Sequence, residues 1–167
     1  MSCLVAIDPG GEHVGVAGFG YGQDEGAVCI RAIELAPVDT EELIWAMCVN
    51  SAIDALVIES WRLFPDMAPK LAGSDMPTSQ LIGSLRFIAR RFAVPVTLQD
   101  PVIKVPMAHL LRAAEIPLRS VKEGKGGHAK DAELHGWRYL VSSGQTGRSD
   151  LTETKREART GHAQAGR

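Results

Sequence analysis

Three carboxylates in this sequence stand where packing alone would favour an aliphatic side chain. Asp8 closes the apolar run Cys3-Leu4-Val5-Ala6-Ile7, and Glu59 closes Ala55-Leu56-Val57-Ile58. Burial disfavours an ionised carboxylate, so an acid that ends such a run needs a use or a partner. If the two runs are neighbouring strands, about 4.8 Å apart, their ends can turn both acids toward a common point. Like charges so placed repel, a divalent cation relieves the repulsion, and oxygen ligands favour Mg²⁺ or Mn²⁺ over zinc. The third acid, Asp131, lies in His128-Ala129-Lys130-Asp131-Ala132, where a spacing of three puts His128 and Asp131 on one helical face. His135 shares that face and is expected to pack or cap within the fold, while Glu133 is expected to point into solvent. Each signal has an ordinary alternative: Asp before Pro-Gly is a common turn former, and His-x-x-Asp at a helix start is a common cap.

These residues belong to a chain of 167 residues, 45% hydrophobic and 23% charged, with a formal net charge of −2. That composition describes one globular domain large enough to sustain its own core. No apolar run approaches the roughly 18 residues of a membrane helix and the start does not read as a signal peptide, so a cytoplasmic location is expected. Cys3, Cys29 and Cys48 are an odd set without a CxxC pair and read as buried thiols. Charge is unevenly spread: residues 1–60 hold ten carboxylates and one Arg, whereas residues 61–141 hold twelve Lys and Arg against seven carboxylates. Such a division can join an acidic site to a basic, phosphate-binding surface, and it can equally reflect unevenly solvated faces.

The elements that would position the acids follow from periodicity and turn residues. Cys3 to Asp8 reads as a buried strand stopped by Pro9-Gly10-Gly11, His13 to Tyr21 as a glycine-rich second strand, and Ala27 to Leu35 as a third, forming an antiparallel meander. A helix opening at Asp39-Thr40-Glu41-Glu42 carries Leu43, Ile44, Met47 and Cys48 inward. After this crossover, Ala55 to Glu59 is expected parallel to the first strand. Residues 61–76 lack a clean period and read as a functional loop. Pro77-Thr78-Ser79 then caps a helix with Leu81, Ile82, Leu85, Ile88 and Ala89 inward; Phe87 and Phe92 exceed what one core-facing stripe requires, which suggests a partner-facing surface or a sandwiched helix. Val94 to Leu98 is the fifth strand, Val105 to Ala114 a short helix, and His128 to Val141 the last helix.

Taken in order, Ile7-Asp8-Pro9-Gly10, the glycine-rich second strand, Ile58-Glu59 and His128-Ala-Lys-Asp131-Ala132 resemble the RuvC-type Holliday junction resolvases, and more closely their bacteriophage relatives, over roughly residues 3–141. The resemblance implies an α/β, RNase H-like fold: a five-stranded mixed sheet, the first three strands antiparallel and the last two parallel to the first, flanked by helices over residues 1–141. Residues 142–167 read as a flexible polar tail, poor in large apolar side chains. The resemblance also implies a homodimer that cuts branched DNA by two-metal hydrolysis, with Mg²⁺ or Mn²⁺ held by Asp8, Glu59, His128 and Asp131. Val14 and the 61–76 loop depart from the bacterial pattern, so preferred DNA sequence and shape do not carry over.

Phosphate contacts are expected from Lys122, Lys125 and Lys130, with Gly124, Gly126 and Gly127 admitting backbone amides to the strand, although the glycine loop could be merely flexible. Trp61 and Phe64 could stack on unpaired bases or pack in the core. Three other readings stay open: an RNase H-like nuclease for flaps or RNA–DNA hybrids, a non-catalytic structure-specific DNA-binding module, and, least favoured in so short a chain, half of an actin-like ATPase.

Overall fold

The computed structural model describes residues 1–22, 26–62, 75–122 and 127–146, the side chains of residues 121 and 122 excepted. Strands β1 (Ser2–Asp8), β2 (Val14–Gly22), β3 (Gly26–Leu35), β4 (Ala55–Glu59) and β5 (Val96–Gln99) form one sheet in the order β3-β2-β1-β4-β5. The β1–β2 and β2–β3 pairs are antiparallel, and β1–β4 and β4–β5 are parallel, as expected. This is an RNase H-like five-stranded mixed sheet. Helices α1 (Pro37–Val49) and α2 (Pro77–Arg91) join the strands on one side; α3 (Lys104–Ala113), the short α4 (Arg119–Lys122) and α5 (His128–Ser142) complete the fold.

Strand alternation decides which residues reach the site. Leu4, Ala6, Ala55 and Val57 face a core shared with Phe19, Ala132, Trp137 and Leu140, under α5. Val5, Ile7, Leu56 and Ile58 face a second core shared with Ile44, Leu81, Leu85 and Ile88, under α1 and α2. With a side-chain period of two, Asp8 continues the Leu4-Ala6 row and Glu59 the Ala55-Val57 row, so both acids emerge on the α5 side. Register then aligns them: Ile7 pairs with Ile58, Asp8 with Gly15, and Glu59 with Gln99.

Two glycines let α5 approach closely. A Cβ at Gly15 would lie 1.8 Å from the carbonyl oxygen of His128, and one at Gly136 would lie 2.1 Å from the Phe19 ring. The Phe19 ring meets Trp137 edge-on at 5.5 Å between centroids, fixing the far end of the helix.

Several boundaries differ from the sequence reading for local reasons. Helix α1 begins at Pro37, two residues early, because proline suits the first turn. In α2, Pro77 takes that same place after Met76 in the left-handed conformation (φ 49°), so the helix starts on the proline rather than on a Pro-Thr-Ser cap. Strand β5 begins at Val96: Pro95 has no N–H to give the ladder, and its carbonyl accepts from Leu56 N at 2.9 Å. Asp100 Oδ1 accepts from Val102 N at 3.0 Å, capping a 3₁₀ turn over Pro101–Ile103 that starts α3 at Lys104. The inward stripe of α2 is as expected, with Leu81, Ile82, Leu85, Ile88 and Ala89 buried and Phe87 exposed. Cys29 and Cys48 are buried and Cys3 is half-buried, all three as free thiols.

Glu133 is a correction: expected in solvent, it is fully buried. Its carboxylate accepts from the backbone N–H of Arg119 (2.8 Å) and Ser120 (2.9 Å) and from the Ser120 hydroxyl (2.8 Å). Helix α5 is covered by α4 as well as by the sheet, and three donors offset the carboxylate's lost hydration. Past α5, Thr146 is buried and its carbonyl accepts from Ala27 N at 3.1 Å; the expected tail beyond it lies outside the described residues. No helix among the described residues is long and apolar enough to cross a membrane.

Because α5 rests on a bare backbone at Gly15, Gly15→Ala is expected to lift its first turn and cost about 1–3 kcal/mol, the scale of overpacking. A lower urea midpoint with an unchanged slope would show this; a midpoint equal to the wild type would contradict it.

Candidate active site

At the carboxyl ends of β1, β4 and β5, the side chains of Asp8, Glu59 and Gln99 form a row, and α5 lays His128, Asp131 and His135 across it. Asp8 is 4% exposed, and its Oδ2 is bonded to His128 Nδ1. Glu59 Oε2 accepts from His135 Nε2 at 2.7 Å and lies 3.1 Å from Lys104 Nζ. The same ammonium donates to Asp131 Oδ2 at 2.8 Å. The contacts form two linked groups, Asp8 with His128 and Glu59 with Asp131 through Lys104, set side by side because Asp8 and Glu59 end adjacent parallel strands.

Helix geometry explains which ring or carboxylate meets which strand. The three-residue step from His128 to Asp131 and the four-residue step to His135 keep all three along one face. The first turn of α5 is held from β3, where Glu34 Oε1 accepts from Ala129 N at 3.4 Å, a carboxylate at the positive end of the helix. At Gly10 a Cβ would strike the His13 carbonyl oxygen at 2.1 Å and crowd the His128 ring atoms Cε1 and Nε2 at 3.1 Å, so the bare backbone serves the turn as well as the ring.

The electrostatics are those of a crowded acidic cleft short of positive charge. Burial, reinforced by the hydrogen bond and charge of Glu59, pushes the Asp8 carboxyl up to about 7, against the pull of His128 and Lys104. Burial would raise Glu59 too, but hydrogen bonds from His135, Asp8 and Lys104, together with the Lys104 charge, hold it down to about 2. Burial would lower Lys104; its bonds to Asp131 and Glu59 outweigh that and keep it above the ordinary lysine value. The pair Asp8–Glu59 therefore retains one proton more readily than two separate carboxylates would.

The donor set is oxygen-rich and suits a hard divalent cation, and a cation already bridges Glu59 and Asp131 in the form of the Lys104 ammonium. Among the described residues, no three His, Cys, Asp or Glu side chains converge on one point as a finished metal cage. Asp131 meets Lys104 instead of Asp8.

Sequence pattern alone does not single out Lys104 or Gln99 as site residues. Their one signal is placement: Gln99 ends the strand next to Glu59, and Lys104 follows five residues later, at the carboxyl edge of a parallel pair where α/β sheets gather functional groups. His135, expected to pack or cap within the fold, is fully buried and bonded to Glu59 and to Gln99. Lys130 is half-buried on α5 and outside the network. Lys125, Phe64 and the side chain of Lys122 lie outside the described residues. Trp61, for which base stacking and core packing both stood open, is half-buried against the α1–α2 core, on the opposite side of the sheet from the acids. Beside it Arg62 pairs with Asp100 at 3.4 Å.

No protein-family model matches the sequence, and no curated protein matches it. Solved structures do match in fold. T. thermophilus RuvC in complex with Holliday junction substrate aligns with a TM-score of 0.57 at 14% identity, covering 82% of this chain and 92% of that one. Fowlpox virus resolvase with its substrate Holliday junction DNA aligns at 0.56 and 15% identity, covering 84% and 97%. The yeast mitochondrial Holliday junction resolvase aligns at 0.55 and 13%, covering 95% and 84%. The chain has the fold of the RuvC-type resolvases.

The raised Asp8 carboxyl gives a signed prediction. An ordinary Asp titrates near about 4, so the folded protein holds this proton more tightly than the unfolded chain. The group's contribution to stability is full below about pH 4 and is lost as the pH rises through about 7. Without added metal, Asp8→Asn is expected to melt above the wild type at pH 8, by about 4 °C if 1–2 kcal/mol is recovered, with the gain closing toward pH 4. Calorimetry at the two pH values checks it, and a wild type at least as stable as the variant at pH 8 would contradict it.

Proposed function

We propose that the chain is a metal-dependent endonuclease that cuts branched DNA, with four-way junctions as its substrate. The observation that supports this most is the side-by-side placement of Asp8 and Glu59 on adjacent parallel strand ends, with Asp131 and His128 brought over them by α5, in a fold shared with Holliday junction resolvases. Asp8, Glu59, Asp131 and His128 would hold Mg²⁺ or Mn²⁺, which activates water and neutralises charge at a phosphodiester when bound. The remaining chemistry belongs to the chain's own groups. Asp8 and Glu59 form a rigid floor because their strands are buried on both faces. Asp131 and Lys104, both partly exposed, form the solvent side of the cleft, where the ammonium can turn from Glu59 and Asp131 toward a phosphate oxygen. His128 Nδ1 bonds Asp8 and orients its carboxylate.

Phosphate contacts away from the cut fit Lys130 and the basic glycine stretch of Lys122 and Lys125, which runs directly into α5. A homodimer would supply one acidic site to each of the two equivalent strands of a junction. Its surface is suggested by α2, where Phe87 is 56% exposed with the Arg90 guanidinium 5.8 Å over its ring, and by neighbouring Trp45 and Val49 of α1, also exposed.

Cleavage of a synthetic four-way junction, a flap and an RNA–DNA hybrid in Mg²⁺ tests the reading. The wild type should cut the junction with paired nicks on opposite strands. Asp8→Asn, Glu59→Gln and Asp131→Asn should each lose roughly 10²-fold or more in rate, the scale of removing one charge-stabilising group from a site, while still binding the junction. Preference for hybrid or flap would move the substrate, unpaired nicks would remove the dimer, and normal turnover by Glu59→Gln would remove the site.

A further inference from the structure

We propose that His135 is a positioning residue that fixes the Glu59 carboxylate for cation binding and that Gln99 fixes His135 in turn; this rests on the reading of Asp8, Glu59 and Asp131 as a cation site. The His135 side chain is 0% exposed, in a helix whose other sheet-facing residues, Ala132, Trp137 and Leu140, serve the apolar core. An aliphatic residue would serve packing alone. Instead both ring nitrogens are engaged, and by two adjacent strands: Nε2 donates to Glu59 Oε2 at 2.7 Å and Nδ1 lies 2.9 Å from Gln99 Oε1.

The register makes this a designed span. Glu59 and Gln99 are direct partners in the β4–β5 ladder, so one ring bridges the ends of two strands from above. The carboxamide of Gln99 can turn either its oxygen or its NH₂ to Nδ1, and so holds the ring while Nε2 keeps its hydrogen toward the carboxylate.

Glu59 has a second bond on the same oxygen, from Lys104 at 3.1 Å, but the two differ in permanence. Lys104 sits on a flexible stem at the partly exposed side of the cleft and can leave when another cation arrives. His135 is sealed beneath the site and cannot. Both contacts fall on Oε2, so the carboxylate plane is set from below while Oε1 stays outside these two bonds. Partners of this kind, one bond removed from a metal, commonly account for much of a site's affinity.

Mn²⁺ binding measured by calorimetry on the full chain tests the proposal, with thermal unfolding as the check on folding. His135→Leu keeps volume and removes the donor, and should weaken Mn²⁺ binding roughly tenfold or more. His135→Gln restores an N–H near the Nε2 position and should return most of that loss, which a merely structural role would not require. Gln99→Met should weaken binding by a smaller factor, and it decides the matter if His135→Leu does not fold. Wild-type Mn²⁺ affinity in folded His135→Leu, or in Gln99→Met should the Leu variant not fold, overturns the positioning role alone, as does a His135→Gln loss equal to that of Leu. Failure of the wild type to bind Mn²⁺ overturns the cation site and this role with it.

Discussion

Two carboxylates stand side by side on adjacent parallel strands, Asp8 on β1 and Glu59 on β4, at the spacing of one hydrogen-bonded ladder. Their mutual repulsion in a buried place is the constraint around which the neighbouring structure is arranged. Each acid is met by a cationic or hydrogen-bonding group from elsewhere in the chain: His128 for Asp8, His135 and Lys104 for Glu59, and Lys104 again for Asp131. The compensation is incomplete, since Asp8 is still pushed up to about 7. A pocket that holds negative charge so reluctantly has a standing affinity for a further cation, and that affinity connects the fold's electrostatics to its proposed chemistry.

Helix α5 carries most of the burden. It must come close enough for His128 and His135 to reach strand-end carboxylates, and small residues at Gly10, Gly15 and Gly136 remove the atoms that would keep it away. It is then held on three sides: by the sheet through Phe19 and Trp137, by β3 through Glu34 at its first turn, and by α4 through buried Glu133. None of these contacts touches the reacting groups directly. Together they set the depth and rotation of the helix, which decides whether Asp131 overlooks the cleft.

Much of this was legible in the sequence because it rests on short-range pattern. Short, almost wholly apolar runs in Cys3–Asp8 and Ala55–Glu59 identify both strands, and an acid at the end of each is visible without a structure. The spacing of His128, Asp131 and His135 shows a shared face. What escaped depends on contacts between distant segments. Glu133 reads as solvated because helical periodicity reports one buried face, while its partners at Arg119 and Ser120 lie fourteen and thirteen residues away. Lys104 and Gln99 became site residues only through β5 register and the Asp100-capped turn, neither of which a local pattern displays. Trp61 could stack or pack on sequence grounds because a ring just past a strand end can fold to either side of the sheet, and it lies against the α1–α2 core.

The most direct measurement is an anomalous diffraction map from crystals of the protein grown with Mn²⁺. The account predicts Mn²⁺ in contact with the carboxylates of both Asp8 and Glu59, with the Lys104 ammonium drawn away from at least one of Glu59 and Asp131 and the His135–Glu59 bond intact. Mn²⁺ located away from Asp8 and Glu59, with Lys104 still bridging Glu59 and Asp131, would contradict it.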